Sequence, residues 1–259
     1  MRHHVFAAAN KEGIEQKMKR NDNDHQIDIF RLVKITRFYP DGERTEEEDF
    51  VITEHQLRLV FGHRHLTEII CTPRELRELV TGHLFTEGLI RSVEDIEELT
   101  ISEDGTVAEV MPGRDRMEPL LTKPLPSHSF TAGDIFSAIE HFSAGSSIHS
   151  RTGGTHRCML VGKQGEILVS CEDISRHNAL DKAIGSALIR RLPLGDLALF
   201  TSGRVPLDMM SKVVFAGIPL LISKSVPTVQ AIELAERYGM TLITSAWPDN
   251  FRLVTGYIR

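Results

Sequence analysis

The chain of 259 residues contains only three cysteines, one tryptophan and three tyrosines. Three widely spaced thiols, Cys71, Cys158 and Cys171, do not make a disulfide framework, and no C-x-x-C occurs anywhere. H-E-x-x-H is absent, as is the H-x-E…P-C-x-x-C pattern of zinc deaminases, so neither a structural nor a catalytic zinc site is expected. No apolar run reaches the roughly 18–20 residues of a membrane span. The N-terminus lacks the apolar block of a secretory signal. The expectation is a cytoplasmic protein with no membrane attachment. A net charge of −6 argues against non-specific nucleic-acid binding.

What charge there is sits unevenly. Residues 1–145 carry 17 basic against 27 acidic side chains, and residues 146–259 carry 13 against 9. A mildly basic C-terminal half suits a small anionic ligand. Residues 1–26 are polar and aperiodic and read as a mobile arm. Residues 27–145 read as a β-rich N-terminal domain with two helices. "IDIFRLVKITRF", "EEEDFVITE", "QLRLVFG" and "LTEIIC" alternate as strands, and an acidic hairpin turns at Asp104-Gly105. The first helix is expected from Thr72 as N-cap and Pro73, ending at Gly88. The second follows Thr131, with Ile135, Ile139 and Phe142 on one face. An irregular, proline-containing connection lies between the hairpin and Thr131.

From about Ser146 short apolar runs alternate with helices. "CMLVG" and "EILVSC" form a hairpin, and a helix is expected from Ala179. "LALFTS", "IPLLIS" and "MTLITSA" are near-continuous buried strands, separated by helices that end at Gly217 and Gly239. This pattern predicts an α/β domain over 146–259 with a mainly parallel sheet covered on both faces.

In such sheets ligands sit beyond the carboxyl ends of the strands, where helix N-termini present unpaired N–H groups. The turns that leave these strands carry the chemistry. "EDISRHN" supplies Arg176, His177 and Asn178. "TSGRVP" supplies Ser202, Gly203 and Arg204. "SKSVPT" supplies Lys224 and Ser225, and "SAWPDN" covers Ser245, Ala246, Trp247, Pro248, Asp249 and Asn250. "TGGTH" adds Thr155 and His156. Arginine forks suit phosphate, and a tryptophan in a polar loop can stack on a base. Each piece also has a plainer reading: Asn178 with Asp181 is a capping signal, Thr228 an N-cap, and Glu172 and Asp173 counter-charges to Arg176. Cys71, just before an expected helix start, is the best candidate for a reactive thiol. Cys158 reads as core, and Cys171 lies beside the rim.

With "CTPRELRELVTGHLFTEGLI", "TGGTH", "EDISRHNALDK", "SGR", "AGIPLLISKSVPT" and "LAERYGMTLI" in this order, the chain resembles the formate dehydrogenase accessory sulfurtransferase family, FdhD, over roughly 30–259. The resemblance implies a cytidine-deaminase-like three-layer domain without zinc, a smaller N-terminal domain and a homodimer. It implies binding of the molybdenum bis(guanine dinucleotide) cofactor, with the cofactor loop at Ser245–Asn250. It implies transfer of sulfur to that cofactor from a cysteine desulfurase, before insertion into apo formate dehydrogenase. Two features depart from the family. Its persulfide-bearing C-x-x-C loop would fall in "MPGRDRMEPLLTKPLPSHSF", which has no cysteine, and Asn250 stands where the family tends to have arginine. The alternatives are a cofactor-binding and delivery protein without sulfurtransferase activity, and a nucleotide-processing enzyme on a deaminase-like fold.

Overall fold

The computed structural model describes residues 28–113, 124–145 and 148–259. The arm read over 1–26 and residues 114–123 of the irregular connection lie outside the described residues. The chain opens with an antiparallel ribbon, β1 (Phe30–Phe38) and β2 (Arg44–Ile52). A four-stranded sheet follows. It is built from β3 (His55–Phe61), β4 (Arg64–Cys71), β5 (Ile96–Ile101) and β6 (Val107–Pro112) in the order β4-β3-β6-β5. Alternation in β3 puts Leu57 and Leu59 inside and Gln56 and Arg58 outside, as a sheet with one buried face requires. The β5–β6 turn is the expected one: Asp104 accepts from Ser102 Oγ and from the N–H and hydroxyl of Thr106.

Between β4 and β5 lies helix α1 (Leu76–Thr86). It starts later than its sequence signals. Glu75, with φ 53° and ψ 40°, takes the cap position, and Thr72 caps nothing. A buried polar network has claimed Thr72 instead, as described below. Helix α2 (Ala132–Ser143) has the cap its sequence promises: Thr131 Oγ1 accepts from Asp134 N–H, and Asp134 returns the bond to Thr131 N–H. A single turn, α3 (His149–Thr152), leads into the second sheet.

That sheet has six strands: β7 (His156–Val161), β8 (Ile167–Asp173), β9 (Ala198–Thr201), β10 (Leu220–Ser223), β11 (Thr241–Trp247) and β12 (Asn250–Thr255). Their order is β12-β11-β10-β9-β7-β8. Only β9, β10 and β11 are mutually parallel; β7, β8 and β12 join by antiparallel pairing. The sheet is therefore mixed rather than mainly parallel. The reason is local: β7–β8 and β11–β12 are hairpins, which can only pair antiparallel. Helices α4 (Arg176–Ile189), α5 (Leu207–Phe215) and α6 (Val229–Tyr238) connect the remaining strands. Because the β9-α5-β10-α6-β11 crossovers share one hand, α5 and α6 fall on the same face as α4. Thr228 caps α6 through Ala231 N–H.

Chain order and spatial layers do not coincide. Leu79, Val80 and Leu84 of α1 share one core with Leu57 and Leu59 of the four-stranded sheet, with Leu180 and Ile184 of α4, and with Leu160 and Leu199 of the six-stranded sheet. The other face of the six-stranded sheet is covered by α2, whose Ile135, Ile139 and Phe142 meet Met159, Phe200, Ile222 and Ile243. Helices α1 and α4 cross in backbone contact. A Cβ on Gly82 would lie 1.8 Å from the Asp181 carbonyl oxygen, and one on Gly185 would lie 1.9 Å from that of Glu78. Only glycine fits at either position.

Candidate functional site

The stretch Glu172–Lys182 gathers its charges for two separate purposes. The first is internal. The Lys182 and Asp173 side chains are fully buried, with Nζ 2.8 Å from Asp173 Oδ2. Lys182 also donates to Thr72 Oγ1 at 2.7 Å. Asp173 accepts from the N–H groups of Thr72 and Ser175 and from the Asn178 amide. The second Asn178 bond goes to the Ile70 carbonyl. Asn178 thus lies inside, fastening α4 to the end of β4, and not on the ligand-facing edge.

Asp181 performs the same task one turn later. It accepts from Thr86 of α1 and from Lys212 of α5, so three helices meet on one carboxylate. Glu172 holds the N–H of His149 and the hydroxyl of Thr155. Asp173 is thus the counter-charge of Lys182, and Glu172 fastens the start of α3 and the turn before β7. Unpaired charge inside a protein is costly, so buried charges come paired and hydrogen-bonded.

The second purpose lies at the edge. The carboxyl ends of β8, β9, β10 and β11 and the start of β7 share one edge of the six-stranded sheet. The structure brings Arg176, His177, His156, Ser202 and Arg204 there. Helix α4 begins at Arg176, not at Ala179, so Arg176, His177 and Asn178 form its first turn. That turn contains no acid, and Ser175 makes no side-chain cap bond. The Arg176 side chain lies against Gly203, where an added Cβ would stand 2.9 Å from Arg176 Cβ and 3.1 Å from its Cδ. Arg176 Nε is buried and makes no hydrogen bond. His156 Nδ1 lies 3.2 Å from Ser202 Oγ. Burial, then the charges of Arg176, His149, His177 and Arg204, hold the His156 imidazole below its ordinary proton affinity. His177 Nε2 is paired with Asp208 Oδ2 at 2.9 Å.

A second group lies at the same edge on the α2 side. Lys224 Nζ stands 5.2 Å from the Trp247 ring centroid and 5.3 Å from that of Phe142. Burial and the neighbouring Arg157 lower its proton affinity. A chain of bonds joins the two groups through the turns: Ser223 Oγ donates to Gly203 O, Ser225 N–H to Ser223 Oγ, and Ser245 N–H to Ser225 O.

The segment 245–250 is less loop than its sequence indicates. Strand β11 runs through Trp247, which pairs with Asn250 across a turn at Pro248-Asp249. One extra residue in β11 between Thr244 and Trp247 makes a bulge, with Ser245 at φ 47°. Ala246 is buried in the α2-side core, whereas Trp247 is 48% exposed. Bulges re-aim side chains in this way beside sites. His149, Arg157 and Phe142 are members of the site that sequence reasoning missed. Nothing in their spacing marks them.

The thiols are elsewhere in character. All three cysteines are buried. Burial pushes the Cys71 and Cys158 thiols up to about 12, and also pushes Cys171 up. Cys71, the best of the three thiol candidates, is a buried thiol with no activation, because α1 starts five residues later and burial outweighs the nearby Lys182 charge. Among the described residues no cluster of three or more His, Cys, Asp or Glu could hold a metal ion, and no helix is long and apolar enough to cross a membrane. A cavity of about 210 Å³ lined by His128, Lys163, Asp196 and Arg259, among others, lies at the opposite edge and shares no residue with the rim.

These features define a mixed α/β protein with a cationic, hydroxyl-rich rim and one half-exposed indole. The FdhD/NarQ family model matches residues 52–123 and 111–259, and the chain belongs to that family. It is 32% identical over 246 residues to the sulfur carrier protein FdhD of Sulfolobus acidocaldarius, covering 87% of this chain and 96% of the relative. Its identity to the sulfur carrier protein FdhD of Nocardia farcinica is 33% over 244 residues, covering 81% and 87%. The crystal structure of a protein described as a formate dehydrogenase accessory protein, from Desulfotalea psychrophila, superposes with a TM-score of 0.79. It is 28% identical and covers 88% of this chain and 98% of its own.

Proposed function

We propose that this protein serves the maturation of formate dehydrogenase. It holds the molybdenum bis(guanine dinucleotide) cofactor at the rim, where the cofactor receives sulfur before passing to the apo-enzyme. The observation that carries this reading is the convergence of Arg176, Arg204, His156 and His177, with Arg176 Nε buried and unpartnered. A diphosphate supplies the acceptors that such a group lacks. The Trp247 face suits the flat base of a guanine nucleotide. The names of the relatives and of the structural neighbour support the formate dehydrogenase and sulfur-carrier part of the reading. A cysteine desulfurase as sulfur source, a homodimer and a cytidine-deaminase-like three-layer domain belong to the same proposal.

The test is to purify the chain from cells that make the cofactor and release bound nucleotide with acid. Guanine nucleotide near two equivalents per bound cofactor, one from each dinucleotide, is expected, and its loss in an Arg176→Ala, Arg204→Ala double variant. Nucleotide-free protein, or retention by the double variant, contradicts the reading.

A second reading is favoured by the thiols: a cofactor holder that carries no sulfur itself. Sulfur transfer on a cysteine needs a thiolate. Cys71, Cys158 and Cys171 are the only cysteines in the chain, and burial holds each as the thiol. Incubation with a cysteine desulfurase and cysteine, followed by intact mass, separates the two. A gain of one sulfur on this chain supports the sulfur carrier; no gain supports the holder.

A further inference from the structure

We propose that the rim takes up a proton at His156 when an anionic ligand binds, so that ligand affinity is linked to pH through this one imidazole. The inference rests on the anionic reading of the rim. His156 opens β7 and is half-buried. Ser202 Oγ accepts the Arg157 N–H at 3.0 Å, which leaves its hydroxyl proton for His156 Nδ1 at 3.2 Å. The neutral imidazole then carries its own proton on Nε2.

The charges that act most strongly on this ring are basic: Arg176 and His177 from α4, Arg204 from the turn after β9, and His149 from α3. The acids of the surrounding elements are turned to other partners. Asp173, the cross-strand neighbour of His156, is tied to Lys182. Glu172 is tied to the His149 N–H and the Thr155 hydroxyl, and Asp208 of α5 to His177. Without a ligand, burial and like charge keep the ring neutral. A phosphate placed among the same cations reverses the field at His156 and favours its charged form.

By linkage, a ligand that raises the proton affinity of a group binds more tightly below the raised value. Affinity is highest below the ligand-free value, which burial and the surrounding cations hold under the ordinary imidazole range, falls as pH rises from there to the liganded value, and levels off above it. The imidazolium offers Nε2–H as a charge-assisted donor to the anion.

Calorimetric titration of GDP into the full-length chain at pH 7.5, in two buffers of different ionisation enthalpy, counts the protons. Net uptake is expected, with affinity falling by up to roughly tenfold per pH unit from the depressed ligand-free value up to the liganded value and no further. Sulfate, which does not titrate in that range, is expected to give the same sign. His156→Gln is expected to abolish the uptake and flatten the pH profile, and His65→Gln, at an exposed position of β4, to keep both. GDP binding whose enthalpy is the same in both buffers, or uptake that survives His156→Gln, overturns the inference and leaves the anionic rim standing. Failure of millimolar GDP to bind at all overturns both.

Discussion

Replacing Lys182 with methionine isolates the buried charge that fastens the Glu172–Lys182 stretch. The ammonium sits 2.8 Å from Asp173 Oδ2 with neither side chain exposed. It also donates to Thr72 Oγ1 at 2.7 Å and to the carbonyls of Thr72 and Glu172 at 3.3 and 3.4 Å. Methionine replaces most of the lysine volume, so the cavity contribution is small. What remains is an Asp173 carboxylate without its counter-charge, still held by Thr72 N–H at 2.9 Å, Ser175 N–H at 3.0 Å and the Asn178 amide at 3.0 Å.

Breaking a buried pair from one side costs about 3–5 kcal/mol. These three donors and a fourth, the Thr72 hydroxyl at 2.9 Å, place this case near the lower end, about 3 kcal/mol, a large share of a typical total of about 5–15 kcal/mol. Urea unfolding at pH 7.5, followed by far-ultraviolet circular dichroism, reads the change. With a slope of about 2–3 kcal/mol/M, the midpoint falls by about 1–1.5 M at unchanged slope. The double variant Asp173→Asn, Lys182→Met removes both charges and is expected to lose well under the sum of the two singles. A loss under about 1 kcal/mol for Lys182→Met, or strict additivity in the double variant, refutes the reasoning.

Other consequences are as direct. Gly185→Ala puts a Cβ 1.9 Å from the Glu78 carbonyl oxygen, so α1 and α4 must separate, at a cost of about 3 kcal/mol or more by the same urea assay; an unchanged midpoint contradicts the backbone contact. Arg176→Ala and Arg204→Ala are each expected to weaken GDP binding by about 1.5–3 kcal/mol in calorimetry, the value of a hydrogen bond to a charged group; unchanged affinity removes that residue from the site. With thiols pushed up to about 12 at Cys71 and Cys158, about one in ten thousand is ionised at pH 8. Native protein is therefore expected to be silent to a thiol-disulfide reagent at pH 8, and all three cysteines to react in urea. Rapid labelling of any one in the native state refutes their inert character.

The edge where the site lies was legible because its signals are local. Apolar runs, the turns that end them and the helix stops together place "SGR", "SKS" and "SAW" at strand ends, and β9, β10 and β11 put those ends side by side. What was not legible depends on partners far away in the chain. Thr72 reads as a helix cap until Asp173 and Lys182, a hundred residues on, claim it. Asn178 reads as a ligand or a cap until the Ile70 carbonyl takes its amide. Asp173 of "EDIS" reads as a counter-charge to the adjacent arginine until its buried ion pair with Lys182 is seen. Cys71 reads as activated because burial cannot be seen in a short stretch. The β7–β8 hairpin is legible from its turn, but the antiparallel pairing of β12 with β11 is not, because a strand's apolar pattern does not show which way its neighbour runs.

The central claim is that separate turns of the C-terminal half form one site for a phosphate-bearing nucleotide. Trp247 is the only tryptophan in the chain, half-exposed and 5.2 Å from the Lys224 ammonium, so its fluorescence reports that site alone. Titration with GDP is expected to give a saturable change in Trp247 emission that Arg176→Ala shifts to at least tenfold higher nucleotide. A flat response up to millimolar GDP, or a saturation curve identical in the Arg176→Ala protein, contradicts the account.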